Sequence, residues 1–343
     1  MATLAVLHGQ DDSEQTRHSP AALGSGFALA AQGLRKRYGD GAEALCGVDF
    51  AVREGEIYGL LGPNGAGKST AVQILTTLLL PTDGSAQVFG RDIVRDQDAV
   101  RRSIGVALQE TGVDPLLTGS EALELQGRLY GATRRAARER AHELSGMLQL
   151  EDFAHRRIAN YSGGMRRRLD LALGLVHRPR LLFLDEPTTG LDPLSRNALW
   201  DLVRTVRSES GTTVFLTTQY LEEADTLCDR IAILRAGTVV AEDTPSRLKR
   251  RMRRDVIELE PEDPAQLATL LRLVRRSQPS ATLEREAVRV HVSHGATIAQ
   301  ELLAAAAGAG IALGGLRVAP PTLDDVFLEL TREDGVTDTG EEA

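Results

Sequence analysis

The chain has 343 residues, with 40 lysines and arginines against 48 aspartates and glutamates, a formal net charge of −8. This length accommodates about two domains, and the acidic balance argues against a nucleic-acid binder that relies on bulk charge. Cys46 and Cys228 lie far apart without metal-ligand spacing, which is typical of a reducing compartment. No apolar run of ~18 residues and no signal peptide are present, so we expect a cytoplasmic chain without a membrane-spanning helix.

The chain begins with a segment, residues 1–26, that lacks periodicity and that we expect to be disordered. Two strand-like runs follow, Phe27–Tyr38 and Ala44–Val52, and a glycine-containing turn separates them. The short apolar strand Ile57–Leu61 comes next, directly before a glycine-rich loop. These strands open the first large domain, which we place at residues 27–246.

Strand and helix patterns alternate through the rest of this domain. They predict a helix over Val72–Leu79 that ends in a turn at residues 81–84, a strand at Ile104–Leu108, a helical insert at about 113–178, strands at Leu181–Leu184 and Thr213–Thr217, a helix at Leu221–Cys228, and a hairpin of Ile231–Leu234 and Val239–Ala241. Such alternation predicts a mainly parallel sheet covered on both faces. Ligands of these sheets bind at the carboxyl ends of the strands.

A second, smaller domain is predicted at residues 247–331. It begins with a basic run, residues 247–254, which we interpret as a solvated helix end and linker, with contact to lipid headgroups as the alternative. The pattern then restarts as β-α-β-β-α-β, which is typical of a split βαβ sandwich. The last residues, 332–343, form an acidic tail that we expect to be frayed.

The glycine-rich loop carries the strongest chemical signal. It fits Gly-x-x-x-x-Gly-Lys-Ser, in which backbone N–H groups cradle phosphates, the lysine reaches the terminal phosphates and the serine hydroxyl binds Mg²⁺. Its residues are Gly62, Pro63, Asn64, Gly65, Ala66, Gly67, Lys68, Ser69 and Thr70. The loop therefore predicts a nucleotide site at the start of a helix, whose positive end faces the phosphates.

Two further segments complete a predicted site. Asp185 and Glu186 close a strand, where one carboxylate can hold Mg²⁺ and the next can orient the attacking water. We expect that strand to be the neighbour of the strand before the phosphate loop. The segment Tyr161–Leu169 contains Ser162, Gly163 and Gly164 at a predicted helix start, a second anion-binding element on the same chain.

These motifs, in this order, resemble the ATP-binding subunit of an ABC transporter. Gly62–Thr70 resembles the Walker A loop, Tyr161–Leu169 the family signature and Leu181–Glu186 the Walker B strand. Gln109 resembles the Q-loop glutamine, and Gly190–Pro193 with Asp192 resembles the D-loop. The resemblance implies a P-loop NTPase cassette of the α/β class, with an antiparallel β subdomain and a helical subdomain, followed by a small α+β C-terminal domain.

The resemblance also implies residue roles, with ATP and Mg²⁺ as substrate and cofactor. Tyr38 would stack on adenine, and Ser69, Gln109 and Asp185 would hold Mg²⁺. The catalytic residues would be Glu186, Lys68 and Gln219. Ser162, Gly163 and Gly164 would cap the ATP of a second ATPase subunit, in a dimer that sandwiches two nucleotides. The partners would be that second subunit, expected to be an identical chain, and a separate permease at the cytoplasmic face of the membrane, with no nucleic acid.

One residue departs from the family pattern and narrows the subfamily. Where the family usually has a histidine near the γ-phosphate, the chain has Gln219, which hydrogen-bonds but carries no charge. Together with Gln109–Asp114 and the tail Pro321–Leu328, Gln219 is similar to daunorubicin/doxorubicin-resistance-type drug exporters. This subfamily implies export of a drug or antibiotic through a separate permease, driven by ATP hydrolysis.

Three alternatives stay open at this point. The same ATPase role in the export of a lipid, polysaccharide or ion is one, since the permease selects the substrate. A soluble ABC protein acting on ribosomes or DNA is another, although such proteins usually have two cassettes, a long coiled coil or zinc-binding cysteines. The last is a catalytically weak nucleotide sensor, which Lys68, Asp185 and Glu186 argue against.

Overall fold

The computed structural model describes residues 26–39, 41–108, 112–252 and 255–332. The predicted disordered N-terminus, except for its last residue, the acidic tail after residue 332 and Gln109 lie outside the described residues. Within them, the strands are β1 (Phe27–Arg37), β2 (Glu43–Arg53), β3 (Ile57–Leu61), β4 (Asp83–Val88), β5 (Arg91–Asp92), β6 (Ile104–Ala107), β7 (Leu181–Asp185), β8 (Thr213–Thr218), β9 (Arg230–Arg235), β10 (Thr238–Asp243), β11 (Asp255–Pro261), β12 (Thr282–Glu284), β13 (Ala287–Val292) and β14 (Leu313–Ala319).

The α-helices are α1 (Lys68–Leu75), α2 (Gln97–Ser103), α3 (Gly119–Leu129), α4 (Arg134–Met147), α5 (Gly163–Leu175), α6 (Pro193–Ser210), α7 (Leu221–Leu227), α8 (Pro245–Arg251), α9 (Leu267–Ser277), α10 (Gly295–Gly308) and α11 (Leu323–Arg332). Within the described residues, no helix is both long enough and apolar enough to cross a membrane.

The central sheet has six strands in the order β10-β9-β3-β8-β7-β6, and all neighbours except β10 and β9 are parallel. Its strands β3, β7 and β8 are buried throughout, as expected for a sheet covered on both faces. The expectation that Asp185 lies on the strand next to the phosphate loop is wrong, because β8 lies between β3 and β7. The predicted sheet is otherwise confirmed.

A second sheet is antiparallel and has the order β2-β1-β4-β5. It contains β1 and β2, the strands that precede β3 and the phosphate loop in the chain. The helix predicted over Val72–Leu79 is wrong at its end, since α1 stops at Leu75 and Thr77 adopts a positive φ of 64°. Leu78 and Leu80 are then exposed rather than packed on a helix face, at 61% and 56%. The predicted turn at residues 81–84 leads directly into strand β4, which the sequence pattern did not indicate.

The helical insert consists of α3, α4 and α5, which confirms the mostly helical pattern of residues 113–178. Helix α3 begins at a capping box, in which Thr118 and Glu121 bond each other's backbone N–H groups. Leu123 and Leu144 are fully buried and share one apolar core with the helices that cover the central sheet. The insert is therefore packed against the sheet, and α5 leads from the insert back to strand β7.

The C-terminal unit has the predicted β-α-β-β-α-β order, with an antiparallel sheet in the order β12-β13-β11-β14. Helices α9 and α10 pack on one face of this sheet and form a separate apolar core with it, which includes Ile257, Leu259, Leu270 and Leu302. Within residues 247–252, the described part of the basic run, Lys249 pairs with Asp225 at 2.7 Å and Arg251 pairs with Asp243 at 2.8 Å. This pairing agrees with the solvated helix end that the sequence predicted.

Helix α11, which the sequence interpretation did not predict, packs on the cassette. Leu323 and Val326 belong to the same apolar core as Leu248 of α8. The guanidinium of Arg235 on β9 donates to the carbonyl of Leu330 at 2.6 Å. The end of the described chain thus packs on the cassette. Helices α9 and α10 belong instead to the separate apolar core of the C-terminal unit.

Candidate nucleotide site

The phosphate loop connects β3 to α1, and two of its glycines have no room for a side chain. Gly67 has φ of 107°, and a Cβ there would lie 2.3 Å from the carbonyl oxygen of Ala44. A Cβ on Gly62 would lie 2.4 Å from the carbonyl oxygen of Leu234. The loop conformation therefore depends on glycine at both positions.

Lys68 is the first residue of α1 and is almost completely buried. Its ammonium donates to the carbonyl oxygens of Gly62 at 2.8 Å and Pro63 at 3.1 Å, and it lies 3.0 Å from Oε1 of Glu186. The side chains of Lys68 and Glu186 are exposed by only 4% and 8%, so the pair is shielded from solvent. A buried charge of this kind is stabilised only by such close partners.

The two carboxylates at the end of β7 are fixed by Thr217 on the adjacent strand β8. The Thr217 hydroxyl donates to Oδ1 of Asp185 at 2.6 Å and accepts from the backbone N–H of Glu186 at 3.0 Å. Glu186 has a positive φ of 48°, a strained conformation that is commonly found at functional sites. The hydroxyl of Thr189 donates to Oε2 of Glu186 at 3.2 Å, so the strained residue is held from two sides.

These side chains surround an open cavity of about 400 Å³, which we name the phosphate cavity. This volume lies within the usual range of ligand sites. Its lining residues are Ala44, Asn64, Gly65, Gly67, Lys68, Ser69, Thr70, Glu186, Thr189 and Gln219. The structure thus brings together, around one cavity, residues of the predicted phosphate loop, Glu186 and Gln219.

The remaining phosphate-loop residues and Asp185 lie just outside the cavity lining. Gly62 and Pro63 present their carbonyl groups to Lys68, and Ala66 is buried. Asp185 lies below the cavity, with Oδ1 at 3.4 Å from the Ser69 hydroxyl. Gln109, the third predicted metal ligand, lies outside the described residues.

The donor chemistry of Ser69 and Asp185 fits Mg²⁺. Both supply oxygen ligands, and Mg²⁺ in nucleotide sites is usually held by one or two protein oxygens together with phosphates and water. Within the described part of the chain, no group of three or more His, Cys, Asp or Glu side chains is arranged to hold a metal ion. Two oxygen ligands from the protein suit a metal whose remaining ligands are phosphates and water.

Tyr38 lies at the edge of this region. Its hydroxyl is 3.3 Å from the Thr70 hydroxyl, and 40% of the residue is exposed. The ammonium of Lys36 lies 5.5 Å from the centre of the Tyr38 ring. An exposed aromatic ring next to the phosphate loop is placed where a nucleobase could stack on it.

The second predicted anion-binding element does not line the phosphate cavity. Ser162 caps helix α5, where its hydroxyl accepts from the backbone N–H of Met165, and Gly163 and Gly164 form the first turn. A Cβ on Gly164 would lie 3.3 Å from the hydroxyl oxygen of Ser195, so α5 and α6 start side by side. The structure thus keeps this element apart from the phosphate loop of the same chain.

Asp192 caps the neighbouring helix α6. It accepts hydrogen bonds from the backbone N–H and the hydroxyl of Ser195 at 2.9 and 2.6 Å, and these bonds lower the pKa of Asp192. Its carboxylate is therefore charged at neutral pH. Asp192 and Ser162 both mark helix starts at the junction of α5 and α6, away from the phosphate cavity.

Three residues around the site were missed by the sequence interpretation. Thr217 and Thr189 fix the two carboxylates, and Ala44 lines the cavity from β2. Threonines are common in strands, and only the parallel register that pairs Asp185 with Thr217 reveals the contact. Thr189 lies three residues after Glu186, a spacing that could have suggested a local hydrogen bond.

Comparison with known proteins agrees with this geometry. The ABC transporter family matches residues 45–189, and the family described as "ATP-binding protein DrrA1-3-like, C-terminal domain" matches residues 244–331. The chain is 45% identical over 309 residues to the daunorubicin resistance ATP-binding protein DrrA2 of Streptomyces coeruleorubidus, covering 89% of this chain and 95% of that protein. The chain belongs to the ABC transporter ATP-binding proteins. This membership confirms the predicted family and the predicted resemblance of the chain to drug-resistance ATP-binding proteins.

Two further relatives extend the comparison. The doxorubicin resistance ATP-binding protein DrrA of Mycobacterium tuberculosis is 44% identical over 313 residues, which cover 90% of this chain and 94% of that protein. A solved ABC cassette, in a dimeric post-hydrolysis state bound to ADP and Pi, is similar with a TM-score of 0.58 and 30% identity. The match covers 63% of this chain and 98% of the solved chain. The similarity supports the cassette fold and nucleotide hydrolysis as the chemistry of this family.

Proposed function

We propose that the chain is the ATP-hydrolysing subunit of an exporter that moves a drug or antibiotic through a separate membrane permease. The observation that carries this proposal is the convergence of Lys68, Ser69 and Glu186 on one open cavity, with Asp185 directly below it. The names of the relatives at 44–45% identity support a drug as the exported substrate. No observation favours a lipid, a polysaccharide or an ion instead.

The chain's own groups suggest how the phosphates are held. Residues of the phosphate loop and of the start of α1 line the cavity, where backbone N–H groups would bind phosphates, and Lys68 supplies a positive charge. As terminal phosphates compete for that ammonium, the carboxylate of Glu186 becomes available to orient the attacking water. Mg²⁺, when bound, neutralises phosphate charge, and Ser69, Asp185 and Gln109 are the residues that we propose to hold it.

The hydroxyl and backbone groups at the start of α5 are proposed to serve a second copy of the chain. Ser162, Gly163 and Gly164 lie outside the phosphate cavity of their own chain, although a helix start is a suitable anion site. Asp192 caps α6 beside them and would contribute to the same face. A dimer in which each chain caps the other's ATP accounts for both features, and a solved relative is dimeric.

Gln219 lines the cavity at the end of β8 and is proposed to sense the γ-phosphate. An amide donates and accepts hydrogen bonds but cannot take up a proton. Proton handling in this site would therefore fall to Glu186. We expect Gln219 to adjust the geometry of the phosphate rather than to act as an acid or a base.

The permease is proposed to contact the helical insert and the loop after Gln109. Large apolar side chains are exposed there and at the end of α1: Leu116 at 68%, Leu129 at 73% and Leu78 at 61%. These exposed leucines are the side chains that we propose to contact the permease. Such a contact would keep the chain at the cytoplasmic face of the membrane.

Two measurements test the proposal. The purified chain should hydrolyse ATP in a Mg²⁺-dependent reaction, and cells that express it with a co-encoded multispan membrane protein should export daunorubicin or doxorubicin. A strain with the membrane protein and the Lys68→Ala chain is the matched control, and it should retain the drug. ATP turnover without any drug export in the paired strain would overturn the drug substrate while leaving the ATPase assignment intact.

A further inference from the structure

Glu223 is a completely buried acid that the proposed mechanism does not use. It lies on α7, four residues after Gln219, and 0% of it is exposed. Its Oε1 accepts from the hydroxyl of Thr188 at 2.9 Å and from the indole N–H of Trp200 at 2.9 Å. Burying a carboxylate is costly, so its retention here calls for a reason beyond filling space.

The partners of Glu223 belong to three segments that all lead to the nucleotide site. Thr188 follows Glu186 by two residues, and Trp200 lies on α6, the helix that Asp192 caps. Thr218 directly precedes Gln219. Burial raises the pKa of Glu223, and its polar contacts with Thr218, Trp200 and Thr188 offset part of that rise.

A neighbouring arginine has an unused donor. Oε2 of Glu223 and Nε of Arg196 are both buried, and neither has a hydrogen-bond partner within the described residues. Arg196 lies near enough to lower the pKa of Glu223, and its guanidinium stacks at 4.6 Å over the ring of Tyr220, the residue after Gln219. The acid and the arginine thus bracket the Gln219 loop, one from α7 and the other from α6.

We propose that Glu223 is a positioning residue for ATP hydrolysis, which ties the Gln219 loop to the loop after Glu186 and to the helix that Asp192 caps. It does not line the phosphate cavity, so it acts through these loops and does not touch the nucleotide. Because Asp192 is proposed to face the partner subunit, the same contacts would link dimer formation to the geometry of Glu186 and Gln219. This inference rests on the proposed ATPase function.

The competing interpretation is that Glu223 only stabilises the fold. A purely structural role predicts a lower melting temperature with an unchanged kcat per folded molecule. A positioning role predicts a lower kcat with an unchanged KM for ATP, because small displacements of catalytic groups cost up to ~100-fold in rate. Measuring kcat, KM and the melting temperature of each variant therefore distinguishes the structural role from the positioning role.

The experiment compares Glu223→Ala with Glu223→Gln, which keeps an acceptor oxygen for Thr188 and Trp200. We expect Glu223→Ala to lower kcat ~10–100-fold at a KM within about twofold of wild type, and Glu223→Gln to recover most of that loss. Glu209→Gln is the matched control, since Glu209 is an exposed glutamate near the end of α6, and it should behave as wild type. If Glu223→Ala destroys folding, Thr188→Val removes one of the two bonds and should lower kcat about fivefold.

A double-mutant cycle with Gln219→Ala provides the second measurement. If Glu223 acts in part through the Gln219 loop, the loss of activity in the double variant should be smaller than the product of the two single losses, because coupled sites are not additive. Additive losses, or a kcat of Glu223→Ala equal to wild type, would overturn the inference. Absence of turnover in the wild-type chain would instead contradict the proposed function, so the two failures are distinguishable.

Discussion

The phosphate cavity and the C-terminal unit each contain a buried cluster of charged side chains, and the clusters differ in what they face. Lys68, Glu186 and Asp185 lie at or directly below a cavity of about 400 Å³. Asp325 of α11, by contrast, has a side chain that is 1% exposed, and its oxygens are occupied by Arg289 at 3.0 Å and His291 at 2.9 Å. A charged cluster that borders open space is available to a ligand. A charged cluster whose partners are all within the protein holds secondary-structure elements together.

Among Lys68→Ala, Asp325→Ala and Gln219→Ala, the first should have the largest effect. Removing the ammonium takes away the only positive side chain that lines the phosphate cavity among the described residues. We expect ATP turnover to fall ~10²–10³-fold, with weaker ATP binding measured by calorimetry. Lys249→Ala, which removes a surface lysine paired with Asp225, is the control and should leave turnover unchanged.

Asp325→Ala should affect stability instead. It leaves Arg289 and His291 without their shared carboxylate and removes the acceptor for the Thr322 hydroxyl at 2.7 Å. Loss of one member of a buried charge cluster costs about 3 kcal/mol of unfolding free energy, measurable by urea unfolding. The exposed neighbour variant Asp324→Ala should cost much less, and equal losses would contradict a structural role for Asp325.

The same cluster predicts a pH dependence. Burial alone would raise the pKa of Asp325, but its bonds with His291 and Thr322 and the charge of Arg289 lower that pKa well below the ordinary value. An aspartate with a lowered pKa stabilises the fold above the unfolded-state pKa of about 4, and this contribution is lost as pH falls below it. The melting-temperature difference between wild type and Asp325→Asn should therefore shrink as the pH falls below about 4.

Gln219→Ala has the smallest expected effect. The amide contributes one uncharged hydrogen bond near the proposed γ-phosphate position, so turnover should fall about fivefold. Steady-state kinetics at saturating ATP measures it directly. A loss as large as that of Lys68→Ala would mean that Gln219 takes part in the chemical step.

The core of the site was predictable because it is local in sequence. The phosphate loop, Asp185 and Glu186 each follow a short apolar strand, and parallel strands bring their carboxyl ends to one edge. Such runs identify buried strands without tertiary information. The order of the strands was not predictable in the same way, and β8 lies between the two strands that were expected to be neighbours.

What the sequence missed depends on tertiary contacts. The contact of Thr217 with Asp185 depends on the register of β7 and β8. The contacts of Glu223 depend on how α7 packs next to Thr188. Leu78 and Leu79 continue a helical spacing, yet α1 ends at Leu75 because Thr77 adopts a left-handed conformation. Helix α11 was missed although its apolar residues recur at helical spacing. What the sequence could not show is that they pack on the cassette rather than on the sheet that precedes the helix.

The most direct test of the central claim is a single-turnover measurement with Glu186→Gln. The amide keeps the shape of the side chain at the end of β7 but cannot accept a proton from water. We expect ATP to bind as tightly as in wild type and the hydrolysis rate to fall ~10²–10⁴-fold. Equal hydrolysis rates in the two proteins would contradict the account, and equal, negligible rates would favour a nucleotide sensor.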